Sequence, residues 1–270
     1  MNQLDGSRQP LPDRFKLPTL VNSIVFVIAV TFIIWSMVRA ELSVTKFIAG
    51  LPWMAEAAQQ MVPPSTRDWP QFWRISNNLL TTLQMAVAGG VIGIIISFGI
   101  AWMAARNHSP HWSVYALTRG VITLFRTVPD VIWALFFMVT VGLGPFAGAL
   151  AIMVDTIGYC GRFYAESMEE VDPAPGESLR AMGAGTITVA ACSTIPAALP
   201  AMTAHSLYAM ERAVRSSVIL GIVGAGGIGQ EIETFITMDE WPYASTCILM
   251  IFIMVLGIEQ LSAWMRRRLL

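Results

Sequence analysis

The chain has 270 residues, of which 55% are hydrophobic and only 13% are charged. Because soluble domains carry about a quarter charged residues, this composition predicts a protein embedded in membrane lipid. The formal net charge of −1 argues against nucleic acid as a partner.

Six continuous apolar runs predict six transmembrane helices. They cover residues 20–38, 79–105, 127–144, 146–163, 197–220 and 243–264. The first run resembles a secretory signal, but its length of about 19 residues is typical of an uncleaved membrane anchor. The runs do not alternate apolar and polar residues as strands of a membrane β-barrel do. We therefore expect an all-α protein, with the N-terminus, first span and outer connector in residues 1–78 and a five-helix core in 79–270.

Glycines mark two places in this core. The stretch "GLGPFAG" (142–148) separates the third and fourth runs, and its Gly-Pro punctuation predicts a tight helical hairpin. In the second span, Gly89, Gly90 and Gly93 predict close contact with another helix.

The distribution of arginine and lysine predicts the orientation. If the N-terminus lies inside, the inner segments carry most of these residues, including the C-terminal run 266–268. The last outer segment, 221–242, then carries only acids among its charged residues. By the positive-inside rule, both termini are predicted to be cytoplasmic.

One inner loop, residues 166–195, contains signals of a short helix. Asp172 followed by Pro173 is typical of a helix start, because the carboxylate caps the first N–H groups and proline suits the first position. Leu179 and Met182 form an apolar side of this helix. That side either lies on the membrane surface or docks into a groove of a partner.

Within this loop, the spacing of Glu177, Gly183 and Pro196 resembles the EAA motif of permease subunits from bacterial ABC importers. Ser178 and Leu179 stand where that motif has two alanines. The stretches "FRTVPD" (125–130) and "GAGGIG" (224–229) resemble two further segments of the same family. Four stretches of the chain resemble the phosphonate branch of the family: "VGLGPFAG" (141–148), "ESLRAMGA" (177–184), "AVRSS" (213–217) and "VGAGGIG" (223–229).

The resemblance implies the MetI-like core of a type I ABC importer in a bacterial inner membrane. It implies a second permease, either a copy or a paralogue, together with two cytoplasmic ATPase subunits that bind ATP and Mg, and a periplasmic solute-binding protein. It also implies that a segment of the inner loop contacts the ATPases. This ATPase-coupling segment comprises Glu177, Ser178, Leu179, Arg180, Ala181, Met182 and Gly183.

The chain itself is not predicted to be an enzyme. "GAGGIG" formally satisfies the G-x-G-x-x-G pattern of dinucleotide sites, but such a site needs a βαβ unit, which membrane helices do not provide. These glycines are expected instead to permit a sharp turn near the outer face. Neither Lys16 nor Lys46 follows a glycine, so the sequence has no Walker A motif. We expect no cofactor, metal or catalytic residue in this chain.

The fifth span carries a polar stripe, which at about 100° per residue occupies about 120° of the helix surface. The stripe comprises His205, Tyr208, Glu211, Arg212, Arg215 and, at its border, Ser216. Charged side chains inside a membrane span almost always face the bundle interior or a wet cavity. The stripe is therefore predicted to line the substrate path.

Two explanations of the charges in this stripe stay open. Glu211 and Arg215 are spaced i, i+4 and are predicted to neutralise each other, which leaves Arg212 to bind an oxyanion through its planar fork of N–H groups. Alternatively, Asp130 or Asp155 supplies the counter-charge of Arg212, and the stripe is purely structural.

Together these features predict the permease subunit of an ATP-driven importer for phosphonate, phosphite or hypophosphite. Another small anion is the alternative cargo. An ion-coupled transporter or a channel is a further alternative, although we find no internal repeat of the kind that secondary transporters carry. The sequence leaves open which phosphorus anion is carried and whether the two permeases are identical.

Overall fold

The computed structural model describes residues 20–269, and every regular element in this range is a helix. In chain order these are α1 (Leu20–Arg39), α2 (Val44–Gln60), α3 (Trp69–Ala104), α4 (Trp112–Thr127), α5 (Asp130–Val141), α6 (Pro145–Glu169), α7 (Pro173–Ala181), α8 (Thr186–Val189), α9 (Ile195–Leu220), α10 (Ile228–Thr237) and α11 (Trp241–Leu269). Two π-helical turns, Ala190–Thr194 and Gly221–Ala225, flank α9. The predicted all-α class is confirmed. The predicted cytoplasmic N-terminal segment, 1–19, lies outside the described residues.

All of the predicted apolar runs except 127–144 lie within single helices to within one residue. Four helical stretches are long and apolar enough to cross a membrane, and the bent pair of α4 and α5 is a fifth candidate. The four are Leu20–Arg39, Trp69–Ala104, Thr186–Ala225 and Trp241–Arg268. The remaining predicted run, 146–163, falls in α6, which is 25 residues long but carries charged side chains.

The third predicted span is wrong in its bounds. Instead of one helix over 127–144, α4 and α5 meet at an angle of 93°. Pro129 accounts for this break, because proline has no N–H for the helix and disfavours the helical conformation of the preceding Val128, which is extended. The 12 residues of α5 reach about 18 Å, which is less than the bilayer core of about 30 Å.

The predicted hairpin between the third and fourth runs is confirmed. Helix α5 ends at Val141, and the chain turns through Gly142 (φ 95°) and Gly144 (φ 137°). Positive φ values of this kind favour glycine. Pro145 then occupies the first position of α6, where its missing N–H costs nothing.

The described chain divides into two compact units, the first ending at Glu56. In the first unit, α1 has no buried side chain. Helix α2 carries apolar residues at i, i+3, i+4 and i+7, from Val44 to Leu51, which gives it an apolar side. The predicted outer connector, 39–78, contains α2 and the first turns of α3.

In the second unit, α6 and α9 pack closely against glycines of α3. A Cβ at Gly93 of α3 would lie 2.6 Å from the Cβ of Thr156 in α6, and one at Gly90 would lie 2.7 Å from the sulfur of Met210 in α9. Both distances are far below van der Waals contact. The predicted close contact of the second span is therefore confirmed, and it brings α6 and α9 together beside α3.

Candidate functional site

Each charge of the α9 stripe has an ion-pair partner on a neighbouring helix. The pairs are Arg212 with Asp155 of α6, and Glu211 with Arg266 (2.6 Å) and Arg215 with Glu259 (3.2 Å) of α11. Pairing of this kind is what a membrane interior demands of charged groups, because an unpaired charge there is costly.

The predicted pairing of Glu211 with Arg215 is wrong. The i, i+4 spacing favours that pair on an isolated helix. Here α11 packs on α9 and brings its own base and acid to the stripe, so that Arg266 donates to Glu211 and Arg215 donates to Glu259. This arrangement pairs Glu259 and Arg266 of α11 with α9, whereas a pair within α9 would leave these two residues without those partners.

Arg212 also has a partner within the protein, because its guanidinium donates a hydrogen bond to the carboxylate of Asp155. Asp155 is thus the counter-charge of Arg212, as the second of the two explanations predicts. Asp130, the other candidate, instead accepts a hydrogen bond from the N–H of Val131 at the start of α5 (2.9 Å). The Arg212 side chain remains 38% exposed, whereas that of Asp155 is only 13% exposed. Part of the Arg212 side chain therefore faces open space.

Aromatic rings hold the rest of the stripe against α6. His205 stacks on Phe163 with 4.7 Å between ring centroids, and Tyr208 packs on a second α6 ring, Tyr159, at 5.5 Å. The ring beneath Arg212 is Tyr159, 5.5 Å from the guanidinium carbon, in cation–π geometry. Ser216 is half-buried and has no side-chain hydrogen bond within residues 20–269. We call the following set the α6–α9 groove: Asp155, Tyr159, Phe163, His205, Tyr208 and Arg212.

A second cation, Arg126, lies at this groove and was not predicted. It stands at the end of α4, with its guanidinium carbon 6.0 Å from the Phe163 ring centroid. Its aliphatic stem packs beside Gly158 of α6. One signal in the sequence could have identified the residues that α6 contributes to the groove. Asp155, Tyr159 and Phe163 are spaced by four and so share one helix face.

The short helix predicted in the inner loop is present as α7. The Asp172 carboxylate accepts a hydrogen bond from the N–H of Ala174 (3.0 Å), and Pro173 is the first helical residue. After the helix, Gly183 has a φ of 89°, and no atom occupies the place that its Cβ would take. The loop therefore folds as its local signals predict.

The ATPase-coupling segment exposes one large apolar side chain rather than two. Met182 is 74% exposed, whereas Leu179 is half-buried. The remaining members of the segment are all exposed: Glu177, Ser178, Arg180, Ala181 and Gly183. An exposed methionine suits a surface that meets a partner, because its flexible side chain adapts to irregular grooves.

His108 connects this loop to the end of α3. It shares a hydrogen bond with the hydroxyl of Thr194 in the first π-helical turn (3.2 Å) and packs on Trp102 of α3. Burial lowers the pKa of His108, and the nearby positive charge of Arg180 lowers it further. The neutral imidazole therefore links the α3–α4 loop to the segment that precedes α9.

The family model that matches the sequence is described as "Binding-protein-dependent transport system inner membrane component", and it matches residues 93–270. This range is more than half of the chain. The chain belongs to this family. The α6–α9 groove and the loop around α7 both lie within the matched range, and the resemblance to ABC-importer permeases is confirmed.

Two curated relatives of the permease are similar in sequence. The phosphate-import permease protein PhnE of Mycolicibacterium smegmatis is 38% identical over 214 residues, which are 78% of this chain and 39% of that protein. The phosphite transport system permease protein PtxC of Stutzerimonas stutzeri is 33% identical over 226 residues, which are 84% of this chain and 81% of that protein. The chain thus matches less than half of the first relative and most of the second.

The permease also has the fold of a solved transporter. A structure described as inward-facing conformations of the MetNI methionine ABC transporter superimposes with a TM-score of 0.66. The sequence identity is 22%, and the match covers 75% of this chain and 99% of that chain. At this identity the likeness concerns the fold alone, and it confirms the predicted MetI-like core.

Beyond the C-terminal end of α9, the permease turns sharply, as the glycines of 224–229 predict. Gly224, Gly226 and Gly227 have φ values of 109°, 83° and 75°. The N–H of Ile228 then donates to the hydroxyl of Thr82 in α3 (2.9 Å). The turn fixes the start of α10 against α3, at the opposite end of α9 from the coupling loop.

Proposed function

We propose that this permease is the membrane subunit of an ATP-driven importer for phosphonate, phosphite or a related phosphorus oxyanion. The observation that carries the proposal is its identity of 33–38% with two permeases named for phosphite transport and phosphate import. ATP hydrolysis takes place in separate ATPase subunits, because the sequence has no Walker A motif.

The α6–α9 groove supports an oxyanion as cargo. The Arg212 side chain is partly exposed, and Arg126 lies at the same groove. A guanidinium binds the oxygens of a phosphorus oxyanion through paired N–H groups, more specifically than an ammonium does. Two arginines at one path favour a negatively charged cargo over a neutral or cationic one.

The assembly that we propose follows the family. The permease pairs with a second copy or a paralogue, two ATPase subunits bind the coupling segment from the cytoplasm, and a periplasmic binding protein delivers the anion. Both termini are cytoplasmic, as the arginine distribution supports. The exposed Met182 is the apolar contact of the coupling segment with the ATPase.

Reconstitution of the permease with its cognate ATPase and binding protein in proteoliposomes tests this function. We expect ATP-dependent uptake of phosphite, methylphosphonate or phosphate, and no uptake of methionine or sulfate. Uptake of methionine in preference to every phosphorus anion would contradict the cargo. Uptake that needs an ion gradient and no ATPase would contradict the transporter class.

A further inference from the structure

The guanidinium of Arg212 already holds an anionic group of the protein, the carboxylate of Asp155. A carboxylate and a phosphorus oxyanion bind arginine in the same way, through N–H donors directed at two oxygens. Asp155 therefore occupies the position at which a cargo anion would bind best. Because Asp155 is nearly buried and Arg212 is partly exposed, an anion can reach the guanidinium from the open side.

The surroundings of the pair favour exchange over permanent binding. Phosphate-type groups carry between one and two negative charges at neutral pH, because their second pKa is near 6. Such an anion attracts Arg212 more strongly than a single carboxylate does. Displacing Asp155, however, leaves a carboxylate in a site with little water, which is unfavourable. The net affinity of the groove for the cargo is thus kept low.

Low affinity is what a transport path requires. A site on such a path has to bind well enough for the ion to enter and weakly enough for the ion to leave. Two arginines without a competing acid would retain an oxyanion. A protein carboxylate that returns to Arg212 as the anion departs speeds release and keeps Arg212 neutralised between transport cycles.

The position of α9 in the fold connects this exchange to movement. Arg212–Asp155 is the ion pair that holds α9 to α6, whereas the pairs of Glu211 and Arg215 hold it to α11. The π-helical turns Ala190–Thr194 and Gly221–Ala225 lie at its two ends, and such turns are frequent where helices bend. Release of Asp155 therefore removes the ion pair between α9 and α6, while the aromatic contacts with α6 and the ion pairs with α11 remain.

We propose that Asp155 is an internal stand-in anion, which the cargo displaces from Arg212 and which returns to Arg212 when the cargo leaves. This rests on the proposed function, because it takes the cargo to be an oxyanion that passes the α6–α9 groove. In this role Asp155 is a positioning residue, since it acts through Arg212 and does not bind the anion.

The test compares anion binding by the permease–ATPase complex in nanodiscs, measured by calorimetry with phosphate, phosphite and methylphosphonate. Asp155→Asn should bind the transported anion about tenfold more tightly than the unmodified complex and should slow uptake at saturating anion, since release becomes slower. Asp155→Glu, which keeps the competing charge, should bind as the unmodified complex does. The matched control Glu259→Gln removes an acid that pairs with α9 away from the groove, and it should leave anion affinity unchanged.

Two results would overturn the proposal. One is that Asp155→Asn binds the anion no more tightly than the unmodified complex does, and the other is that Asp155→Asn and Asp155→Glu tighten binding equally.

A second measurement, on the unmodified complex, tests the proposal if the Asp155→Asn variant does not assemble. In the unmodified complex, saturating anion should speed hydrogen–deuterium exchange of the α9 amides around Arg212. Unchanged exchange would contradict displacement of Asp155 from Arg212. If the unmodified complex transports no phosphorus anion at all, the proposed function fails; if it transports one and these tests are negative, only the role of Asp155 fails.

Discussion

The α9 stripe and the loop around α7 are both polar, but they hold their charges in opposite ways. In the stripe, Glu211, Arg212 and Arg215 each form an ion pair with another helix. In the loop, Glu177 and Arg180 are exposed and form no ion pair within the described part of the chain.

The difference follows from the solvent of each region. Inside a membrane span an unpaired charge is costly, so each charged side chain needs a partner within the protein. At a water-exposed loop, the same residues are solvated and stay available to another subunit. Substitutions in the stripe should therefore alter transport and stability together, whereas substitutions in the loop should alter the coupling to ATP hydrolysis alone.

The largest expected effect is an all-or-none difference in cysteine labelling from the periplasm, because the loop around α7 is predicted to face the cytoplasm. Single cysteines at positions 236 and 180 are introduced after Cys160, Cys192 and Cys247 are replaced by alanine. A membrane-impermeant maleimide applied from the periplasm should label position 236 and not position 180. The control is a separate variant that keeps the native Cys192, which is exposed in the loop, and lacks Cys160 and Cys247; it should react only after permeabilisation. Labelling of 180 from the periplasm would refute the topology.

Next in size is the loss of uptake in Arg212→Gln. Removing the guanidinium takes away charge-assisted hydrogen bonds to the anion, so uptake should fall at least about tenfold. The substitution also leaves Asp155 without its partner, so the thermal stability of the complex should fall as well. Proteoliposome uptake and thermal unfolding of the complex measure the two effects separately.

The double variant Arg212→Gln with Asp155→Asn separates the loss of uptake from the loss of stability. It removes both charges, so stability should recover while uptake stays low. Normal uptake in this double variant would mean that the pair is structural and that the anion path lies elsewhere. Arg212→Lys should retain only part of the uptake, because lysine keeps the positive charge but lacks the paired N–H donors of a guanidinium.

These two regions also differ in how far the sequence predicts them. The helix α7 follows from local signals, since Asp172, Pro173 and Gly183 act within a few residues of their own positions. The partners of the α9 charges depend on which face α6 and α11 turn toward α9. That packing is set by side chains far apart in the sequence, such as Gly93 beside Thr156. The i, i+4 rule therefore predicted the wrong partner for Glu211.

A smaller effect is expected from Gly183→Val in the loop. The φ of 89° at this position is strained for a β-branched residue, and the cost is about 1–3 kcal/mol. The end of the ATPase-coupling segment should shift, so that the ratio of anion transported to ATP hydrolysed falls about fivefold while membrane insertion is unchanged.

Gly185→Val is the matched control for this variant. Gly185 also has open space at its Cβ position, but its φ is −73°, which valine adopts without strain. It should therefore keep the normal coupling ratio. An equal loss in both variants would assign the effect to side-chain bulk, and normal coupling in Gly183→Val would count against a role for the segment in docking.

The smallest effect should come from neutralising Arg215 and Glu259 together. This pair belongs to the stripe, yet its side chains are 42% and 44% exposed. Because the double variant Arg215→Gln with Glu259→Gln removes both charges and leaves neither unpaired, it should lower uptake less than about twofold. The same stripe would then contain one pair on which transport depends, Arg212–Asp155, and one that merely neutralises charge. A loss of uptake as large as that of Arg212→Gln, with assembly intact, would show instead that the anion path runs along the α11 side of α9.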